Sequence, residues 1–258
     1  MSASSSQWLP SGDGALLSPY LPADVSWQSY GLQEALHLLK TCPQPQDCIK
    51  VLDVGCGGGG SFYEFTDCDR RISWAGLDLL DSPEATGTGV RGLNFRTFDG
   101  VHIPCAENEI DLLYSRQVFE HVRHPHELLR EMHRVLKPGG HLAGSTSHLE
   151  PFHSRSFWNY TPYGFCVLLH DAGFDSAMVR PGIDGLTLMA RRALSYVHLS
   201  RLCDPFFKSE SPLNLFLEAV TRTARMPVPR RNALKLLFSG HFTFVAAKRA
   251  APRAETLS

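Results

Sequence analysis

The glycine cluster that begins at residue 55 is the strongest chemical signal in the sequence. Gly55, Gly57 and Gly60 have the spacing G-x-G-x-x-G, which is typical of dinucleotide-binding sites. Glycine permits a tight turn and lets backbone N–H groups come close to a ligand. Asp53 stands two residues before the first glycine, and its carboxylate would attract a cationic group but repel a pyrophosphate. The cluster alone therefore indicates a ligand site and leaves two ligand types open, a nicotinamide dinucleotide and a nucleoside that carries a cation.

Asp78 is the second candidate ligand contact. It lies 23 residues after Gly55, at the end of an apolar run. An acidic residue at this place accepts hydrogen bonds from ribose hydroxyls, and both ligand types contain a ribose. Asp81 is close enough in the sequence to compete for the same role.

Residues with catalytic potential follow the apolar run that ends near residue 145. In an open α/β sheet the carboxyl end of a strand faces the ligand site, and histidine titrates near neutral pH, as suits a general base. We rank His148 first, His153 second and His121 third as candidate catalytic residues. The same stretch contains the further polar residues Ser145, Ser147 and Glu150. Its aromatic residues predict the walls of a substrate pocket, namely Phe152, Phe157, Trp158 and Tyr160.

The spacing of the histidines argues against a metal site. His121, His124 and His126 form H-x-x-H-x-H, which matches no strong zinc-ligand spacing, and no cysteine joins it. We therefore predict no bound metal. A minor alternative is a divalent cation held by Glu150 together with histidines.

The elements that position these residues follow from hydrophobic periodicity. Short apolar runs predict strands at 49–54, 72–77, 93–98, 110–115, 141–145 and 241–247. Helical spacing predicts helices at 27–39, 126–136 and 163–172, with Ser26 and Thr161 as N-caps of the first and the third. The alternation of strands and helices predicts an α/β fold, in which a mostly parallel sheet carries helices on both faces.

We divide the chain into three parts. Residues 1–24 lack clear periodicity and are expected to form a flexible N-terminal segment, and residues 249–258 a disordered tail. Residues 25–248 are expected to form one domain. Within it, the stretch at about 191–237 is helix-like and richer in Arg and Pro, so we expect a helical cap before the last strand that acts as a lid or a dimer contact.

Composition narrows the class of protein and of partner. Hydrophobic residues make up 43% of the 258 residues and the formal net charge is −1, so a packed domain is expected and a nucleic-acid partner is not. The seven cysteines are scattered without a C-x-x-C pair, which indicates reduced thiols in the cytoplasm. The Ser-rich first ten residues lack the apolar core of a signal peptide, and no apolar run is long enough to span a membrane. We expect a cytoplasmic monomer or homodimer with a small-molecule substrate.

Six segments in a fixed order resemble the class I S-adenosylmethionine (SAM)-dependent methyltransferases, in particular their small-molecule branch of the ubiquinone-biosynthesis and natural-product type. They are V-L-D-V-G-C-G-G-G at 51–59, G-L-D at 76–78, F-D-G at 98–100, I-D-L-L-Y-S-R-Q-V-F-E-H-V at 110–122, R-V-L-K-P-G-G at 134–140 and A-G-F at 172–174. The resemblance implies a Rossmann-like, seven-stranded sheet, SAM as cofactor, and a mainly structural role for R-V-L-K-P-G-G.

The resemblance also implies roles for individual residues. Asp53 and the glycine loop would border the methionine part of SAM, and Asp78 would hold the ribose hydroxyls. Asp99 would bind the adenine amino group. The full set of implied cofactor-binding residues is Asp53, Gly55, Gly57, Gly59, Asp78, Leu79, Asp99, Gly100, Ser115, Arg116 and Gln117.

The implied function is methyl transfer from SAM to a hydroxyl, amine or activated carbon of a small molecule, with natural products and saccharides among the candidates. One alternative is a methyltransferase-like protein that catalyses a non-methylating reaction such as cyclisation, because a fold does not determine a reaction. A nicotinamide-dependent oxidoreductase is disfavoured by Asp53 and by the R-V-L-K-P-G-G segment.

Overall fold

The computed structural model describes residues 16–41, 47–80, 82, 92–207 and 209–250, and in them one seven-stranded sheet. The strands are β1 (Ile49–Val54), β2 (Ile72–Leu79), β3 (Phe95–Phe98), β4 (Ile110–Arg116), β5 (Leu136–Ser147), β6 (Ser176–Pro181) and β7 (His241–Ala247). Their order is β3-β2-β1-β4-β5-β7-β6. β7 runs antiparallel to β5 and β6, and the other neighbours are parallel. The predicted Rossmann-like fold class is confirmed.

Helices lie on both faces of this sheet. They are α1 (Gly31–Thr41), α2 (Ser61–Cys68), α3 (Pro125–Val135), α4 (Pro162–Asp171), α5 (Gly185–Ser195), α6 (Pro212–Thr223) and α7 (Val228–Leu237). Short 3₁₀ segments occupy Ser18–Tyr20, Phe119–His121 and Ser200–Phe207. Thr161 caps α4 as predicted, because its Oγ1 accepts a hydrogen bond from the Gly164 N–H at 3.1 Å.

Two hydrophobic cores explain why the central strands read as continuous apolar runs. Leu52 and Leu113 pack in the core that includes α3 and α4, whereas Val51 and Leu112 pack in the core that includes α1 and α2. Successive residues of a strand point to opposite faces. Since both faces are covered, both sets of side chains are apolar. The sheet is thereby held rigid beneath whatever binds at its edge.

The first helix begins later than predicted, and Ser26 does not cap it. The Ser26 N–H donates to Asn232 Oδ1 at 2.9 Å, and the Ser26 carbonyl accepts from Lys235 Nζ at 2.9 Å. The Ser29 N–H likewise donates to the Pro181 carbonyl at 3.0 Å. These distant partners keep the backbone extended up to α1, whose first residue is Gly31.

The sequence predicted seven strands but located only six. The missing one is β6, where only Val179 and Pro181 are buried. It lies at the edge of the sheet, and four of its six residues are not buried, so it lacks the continuous apolar run of a strand that is covered on both faces. Arg180 from this strand forms ion pairs with Asp24 and Glu34.

The helical insertion starts before residue 191, at the buried N-cap Asp184. Its Oδ1 accepts from the Thr187 N–H at 2.7 Å and thereby begins α5. Further along, α7 contacts β6, and Lys235 on α7 lies 4.8 Å from the centroid of the Trp27 ring. The insertion therefore covers the β6 edge of the sheet and holds the segment that precedes α1.

Parts of the expected terminal segments can be placed. Residues 1–15 and 251–258 lie outside the described residues. Leu17, Tyr20 and Leu21 pack against the core, and Asn232 Nδ2 donates to the carbonyls of Pro22 and Asp24. In the part of the chain that the structure describes, no helix combines the length and the apolar character needed to cross a bilayer.

Candidate functional site

A cleft of about 630 Å³ lies at the carboxyl ends of β1, β2 and β4. It brings together eight of the eleven predicted cofactor-binding residues, namely Gly55, Gly57, Asp78, Leu79, Asp99, Gly100, Arg116 and Gln117. Asp53, Gly59 and Ser115 are not among its lining residues. Asp81, the competitor of Asp78, lies outside the described residues. Strand ends that are distant in sequence thus meet at one edge of the sheet, as a parallel topology requires.

The glycine loop adopts a conformation that other residues rarely take. Gly55, Gly57 and Gly59 have φ angles of +76°, +51° and +74°. The N–H groups of Gly55 and Cys56 both donate to the Leu77 carbonyl, at 2.7 and 3.2 Å. A Cβ on Gly55 would lie 2.2 Å from Val118 Cγ2. The loop is therefore folded tightly against β2 and leaves space above it for a ligand.

Asp78 holds the glycine loop and still has hydrogen-bonding capacity. Its Oδ2 accepts from the Gly57 N–H at 2.7 Å, and its Oδ1 accepts from the Leu79 N–H at 2.8 Å. A carboxylate has about four lone-pair sites, so two remain for a ligand. Because Asp78 lines the cleft, those sites suit the two hydroxyls of a ribose.

Asp99 is engaged by its own loop. It accepts from the N–H groups of Val101 and His102, at 2.9 and 2.7 Å, and pairs with His102 Nδ1 at 2.6 Å. The hydrogen bond from the His102 ring, together with those from the backbone, holds the pKa of Asp99 well below its usual range. The next residue, Gly100, has φ +93°, and a Cβ there would approach Leu79 Cδ2 to 3.3 Å. This turn forms the wall of the cleft opposite the glycine loop.

The segment after β4 shapes the floor of the cleft. Ser115 is fully buried, and among the residues that the structure describes its Oγ has no hydrogen-bond partner. Gln117 has φ +53°, and its N–H donates to the Ser145 carbonyl at 2.9 Å. Arg116 is exposed and lines the cleft. The chain turns here beside the glycine loop, since Val118 lies against Gly55, and the implied contact of Ser115, Arg116 and Gln117 with the methionine part of SAM stays a prediction.

The three histidine candidates occupy different environments. His121 lines the cleft, and the ring of His153 packs edge-on against it, with centroids 5.2 Å apart. His148 is not among the lining residues. Its Nδ1 lies 2.9 Å from the Tyr160 carbonyl, and burial lowers its pKa. The structure therefore brings His121 and His153 together and gives the first-ranked His148 a structural contact instead.

A buried polar network behind His121 was not recognised in the sequence. Glu120 Oε2 accepts from Thr146 Oγ1 at 2.9 Å, and Glu150 Oε2 pairs with His241 Nε2 at 2.8 Å. Burial raises the pKa of Glu120 to about 7. Burial acts in the same direction on Glu150, but the hydrogen bond and charge of His241 bring its pKa below the usual value. His241 opens the last strand, so no local pattern linked it to the other residues.

The aromatic residues expected as pocket walls serve different purposes. Phe157 lines the cleft beneath the guanidinium of Arg123, which lies 5.5 Å from the ring centroid. Tyr160 is buried in the core, and its hydroxyl donates to the Phe119 carbonyl at 3.0 Å. Trp158 Nε1 donates to the Val122 carbonyl. Phe152 is exposed to 79%. Only Phe157 thus belongs to the wall that the four residues were expected to build.

Residues 52–144 match the family model described as a methyltransferase domain. The matched range contains the glycine loop, Asp78, Asp99 and the segment after β4. This stretch of the chain therefore matches a methyltransferase domain. The cleft described above is lined mainly by residues of the matched range, and five of the six segments that suggested the resemblance overlap that range.

Curated relatives share part of their length with this chain. Phosphoethanolamine N-methyltransferase 3 of Arabidopsis thaliana is 27% identical over 164 residues, which are 57% of this chain and 33% of that protein. An uncharacterised methyltransferase of Mycobacterium tuberculosis is 35% identical over 119 residues, 44% of this chain and 46% of that protein. The chain therefore spans between a third and half of the length of these relatives.

Solved structures share the fold of the methyltransferase domain. Phosphoethanolamine N-methyltransferase 2 of Haemonchus contortus, in complex with SAM, has a TM-score of 0.53 at 16% identity and covers 95% of this chain and 58% of that one. The [4+2]-cyclase SpnF has a TM-score of 0.54 at 17% identity and covers 92% of each chain. At these identities the likeness concerns the fold alone.

S-adenosylmethionine is the cofactor of this domain, and the residues present fit it. Asp78 lines the cleft and offers acceptor sites that suit ribose hydroxyls. Gly55 and Gly57 leave the loop without side chains. The buried Ser115 Oγ, which lacks a hydrogen-bond partner within the described part of the chain, lies on the strand that ends at the cleft. When bound, SAM supplies a methyl group on a sulfonium, which is an activated leaving group.

Asp53 lies beneath the cleft as a buried acid. Its carboxyl group accepts a hydrogen bond from Ser61 Oγ, and Trp74 Nε1 donates to the same hydroxyl at 3.1 Å. Burial raises the pKa of Asp53 from 3.8 to about 7. A cationic ligand next to it would favour its ionised form.

Asp53→Asn is expected to stabilise the protein at pH 8 and to change little near pH 4. The folded chain keeps the Asp53 proton up to about pH 7, whereas the unfolded chain loses it near 3.8. The contribution of protonated Asp53 to the free energy of unfolding is therefore fully present below about pH 4 and is lost as the pH rises through 7. At about 1.4 kcal/mol per pKa unit the loss is on the order of 4 kcal/mol.

Urea unfolding of the wild type and of Asp53→Asn across this pH range would measure the effect. Asp67→Asn is the control, because Asp67 is exposed on α2. Parallel stability curves for the wild type and Asp53→Asn would contradict the assigned pKa.

A second cavity of about 230 Å³ lies between the loop after β5 and the helical insertion. Its lining residues are Glu150, Pro151, Leu188, Arg191, Arg192, Ser195 and Ser200. Four residues of 191–237 line this cavity, namely Arg191, Arg192, Ser195 and Ser200, and none of the described residues of that range is among the lining residues of the larger cleft. The lid role expected for the insertion therefore stays a prediction.

Proposed function

We propose that this chain is a SAM-dependent methyltransferase that acts on a small, negatively charged acceptor through a hydroxyl, amine or activated carbon. One observation carries the proposal. A single cleft joins the cofactor residues, represented by Asp78 and Gly57, to a wall that contains His121 and Phe157. A methyl donor and an acceptor can therefore meet without leaving the cavity.

The charge of the acceptor wall supports the choice of acceptor. Arg123 and Arg155 line the cleft on the same side as Phe157. Guanidinium groups bind carboxylates and phosphates through paired hydrogen bonds. The relatives named phosphoethanolamine N-methyltransferase favour an amine with a phosphate among the candidates. Natural products and saccharides that carry an acidic group fit the same wall.

The mechanism that we propose depends on positioning. Methyl transfer is an in-line displacement at the methyl carbon, so a large part of the acceleration comes from fixing donor and acceptor in line. Asp78 would fix the ribose, and the turn at Gln117 would fix the methionine end. Phe157 and the arginines would hold the acceptor and exclude water. The electron pair of the broken S–C bond would stay on sulfur and leave S-adenosylhomocysteine, and the proton of a hydroxyl or amine acceptor would pass to water or to a base such as His121.

The first test combines cofactor binding with product analysis. The purified chain is titrated with SAM and with S-adenosylhomocysteine by calorimetry, then incubated with methyl-labelled SAM and a panel of phosphorylated and carboxylated amines, phenols and sugars. Micromolar cofactor binding and a labelled product that gains one methyl group are expected. A folded chain that binds neither cofactor form would contradict the proposal. A product of unchanged mass would instead support the cyclisation alternative.

His121→Ala is expected to slow methyl transfer about a hundredfold, the cost of a misplaced reacting group. His148→Asn is expected to lower the melting temperature with a smaller effect on transfer, because its ring contacts the Tyr160 carbonyl and not the cleft. Turnover and thermal unfolding of both variants would separate the two roles. A larger loss of turnover in His148→Asn would restore the ranking made from the sequence.

The remaining properties of the protein are predictions that rest on sequence. A net charge of −1 supports a small-molecule acceptor over nucleic acid. The cysteine pattern supports a cytoplasmic location. A monomer or homodimer is expected, and gel filtration with light scattering would measure which of them forms.

A further inference from the structure

Three side chains with metal-binding atoms meet at the wall of the cleft. One ligating atom from each of Glu120, His121 and His153 lies within 4.8 Å of the others. Glu120 and His121 belong to the 3₁₀ segment after β4, and His153 to the loop after β5. The cluster borders the open space, because His121 lines the cleft.

The backbone holds the two parts of this cluster together. The N–H groups of Phe157 and Trp158 donate to the Glu120 carbonyl, at 2.7 and 3.2 Å. The Tyr160 N–H donates to the Ser147 carbonyl at 2.8 Å. The loop that carries His153 is thus fastened at its far end to the segment that carries Glu120. Ligands that are held in advance bind a metal with less loss of conformational freedom.

His153 has the surroundings of a metal-binding histidine. Its Nδ1 lies 3.5 Å from Glu150 Oε1 and 3.3 Å from the Pro151 carbonyl. Two acceptors on this side favour the proton on Nδ1, which leaves the lone pair on Nε2. Metal-bound histidines commonly donate their second N–H to a carboxylate in this way. Glu150 is itself oriented by His241 Nε2 at 2.8 Å.

Glu120 is a buried carboxylate whose side-chain hydrogen-bond partners are neutral. It is 0% exposed. Within the described part of the chain its carboxylate accepts from Thr146 Oγ1 at 2.9 Å and from Ser147 Oγ at 3.3 Å. A buried carboxylate is costly without a positive partner, and His241 is engaged by Glu150. A cation beside Glu120 would supply the missing charge.

We propose that Glu120, His121 and His153 form a binding site for one divalent transition-metal ion of the zinc class, on the acceptor wall of the cleft. Two imidazoles and one carboxylate are ligands that suit zinc and its neighbours. Three protein ligands would leave a coordination position for a further ligand, and His121 borders the cleft from which that ligand would come. An oxygen of the acceptor would occupy that position. This last step rests on the proposed methyltransferase function, whereas metal binding does not.

The proposal differs from the expectation of no metal for a physical reason. The sequence spacing joined His121 to His124 and His126, which lie nearby in the chain. In the structure, His121 lies beside Glu120 and beside His153, which comes from the loop after β5. Only the pairing of β4 with β5 brings these segments together.

Metal binding can be measured without SAM. The full chain is stripped with a chelator, dialysed and titrated with Co²⁺, whose visible absorption reports its ligands, and with Zn²⁺ by calorimetry. One ion per chain is expected. His121→Gln and His153→Gln are each expected to weaken binding about a hundredfold, and Glu150→Gln between about 10- and 100-fold, as for losses of supporting hydrogen bonds. His126→Gln is the control, because His126 is exposed on α3.

Several outcomes would overturn the metal site. One is a folded wild type that does not bind one ion per chain. Another is metal affinity that stays unchanged in both His121→Gln and His153→Gln. A third is a loss of metal affinity in the control His126→Gln that equals the loss in those variants. Circular dichroism of each variant checks that it is folded, and Glu120→Gln offers a further variant of the same shape. Calorimetry with SAM on the same samples keeps the proposals apart, because loss of SAM binding with intact metal binding would contradict only the methyltransferase function.

Discussion

Asp78→Ala should weaken the binding of SAM and of S-adenosylhomocysteine by at least about 10²-fold. Hydrogen bonds to a charged group contribute about 1.5–3 kcal/mol each, and the carboxylate has capacity for two ribose hydroxyls. The substitution also removes the acceptor of the Gly57 N–H, now at 2.7 Å. The glycine loop would therefore lose an anchor at the same time as the cofactor loses a partner.

Calorimetry on the purified variant measures this effect. Asp67→Ala is the matched control, since Asp67 is an exposed aspartate on α2, the helix that follows the same loop. Asp78→Asn separates the two causes, because its amide keeps one oxygen for the Gly57 N–H but carries no charge. Unchanged affinity in Asp78→Ala would remove Asp78 from the cofactor site and would leave the cleft without its assigned ribose contact.

Gly144→Ala should be the most destabilising single methyl addition among the glycines described. A Cβ at this position would lie 1.9 Å from the Ser115 carbonyl oxygen and 2.7 Å from Phe244 Cζ. Gly144 lies on β5 and pairs with both β4 and β7, so neither neighbour can yield without breaking the sheet. We expect a loss of about 3 kcal/mol in the free energy of unfolding, as for overpacked cores.

Gly60 provides the control for the stability loss expected at Gly144. A Cβ on Gly60 would meet no atom within 4 Å, and its φ of −59° suits any residue. Gly60→Ala should therefore change stability by less than about 0.5 kcal/mol, as expected for an unconstrained surface position. Urea unfolding of both variants provides the comparison. Equal stabilities would mean that β4 and β5 can separate without cost at this point.

The fold and the cofactor side of the cleft were accessible from local patterns in the chain. β1 is buried on both faces, so four of its six residues are apolar, and the exceptions are Lys50 and Asp53. The glycines after it need positive φ angles, which other residues rarely adopt. Asp78 then follows at the end of the next strand. Each of these signals depends on neighbours in the sequence, and a parallel sheet always gathers strand ends at one edge.

The acceptor side of the cleft depends on contacts between distant segments. His148 and His153 look equivalent in the sequence, but the His148 ring contacts the Tyr160 carbonyl whereas the His153 ring packs against the His121 ring. Glu150 finds its partner in His241, 91 residues away. Ser26 resembles a helix cap, yet it binds Asn232 and Lys235 of the insertion. Strand pairing, together with the need to satisfy every buried hydrogen-bonding group, determines which polar groups share a buried environment. Residue spacing along the chain does not predict these pairings.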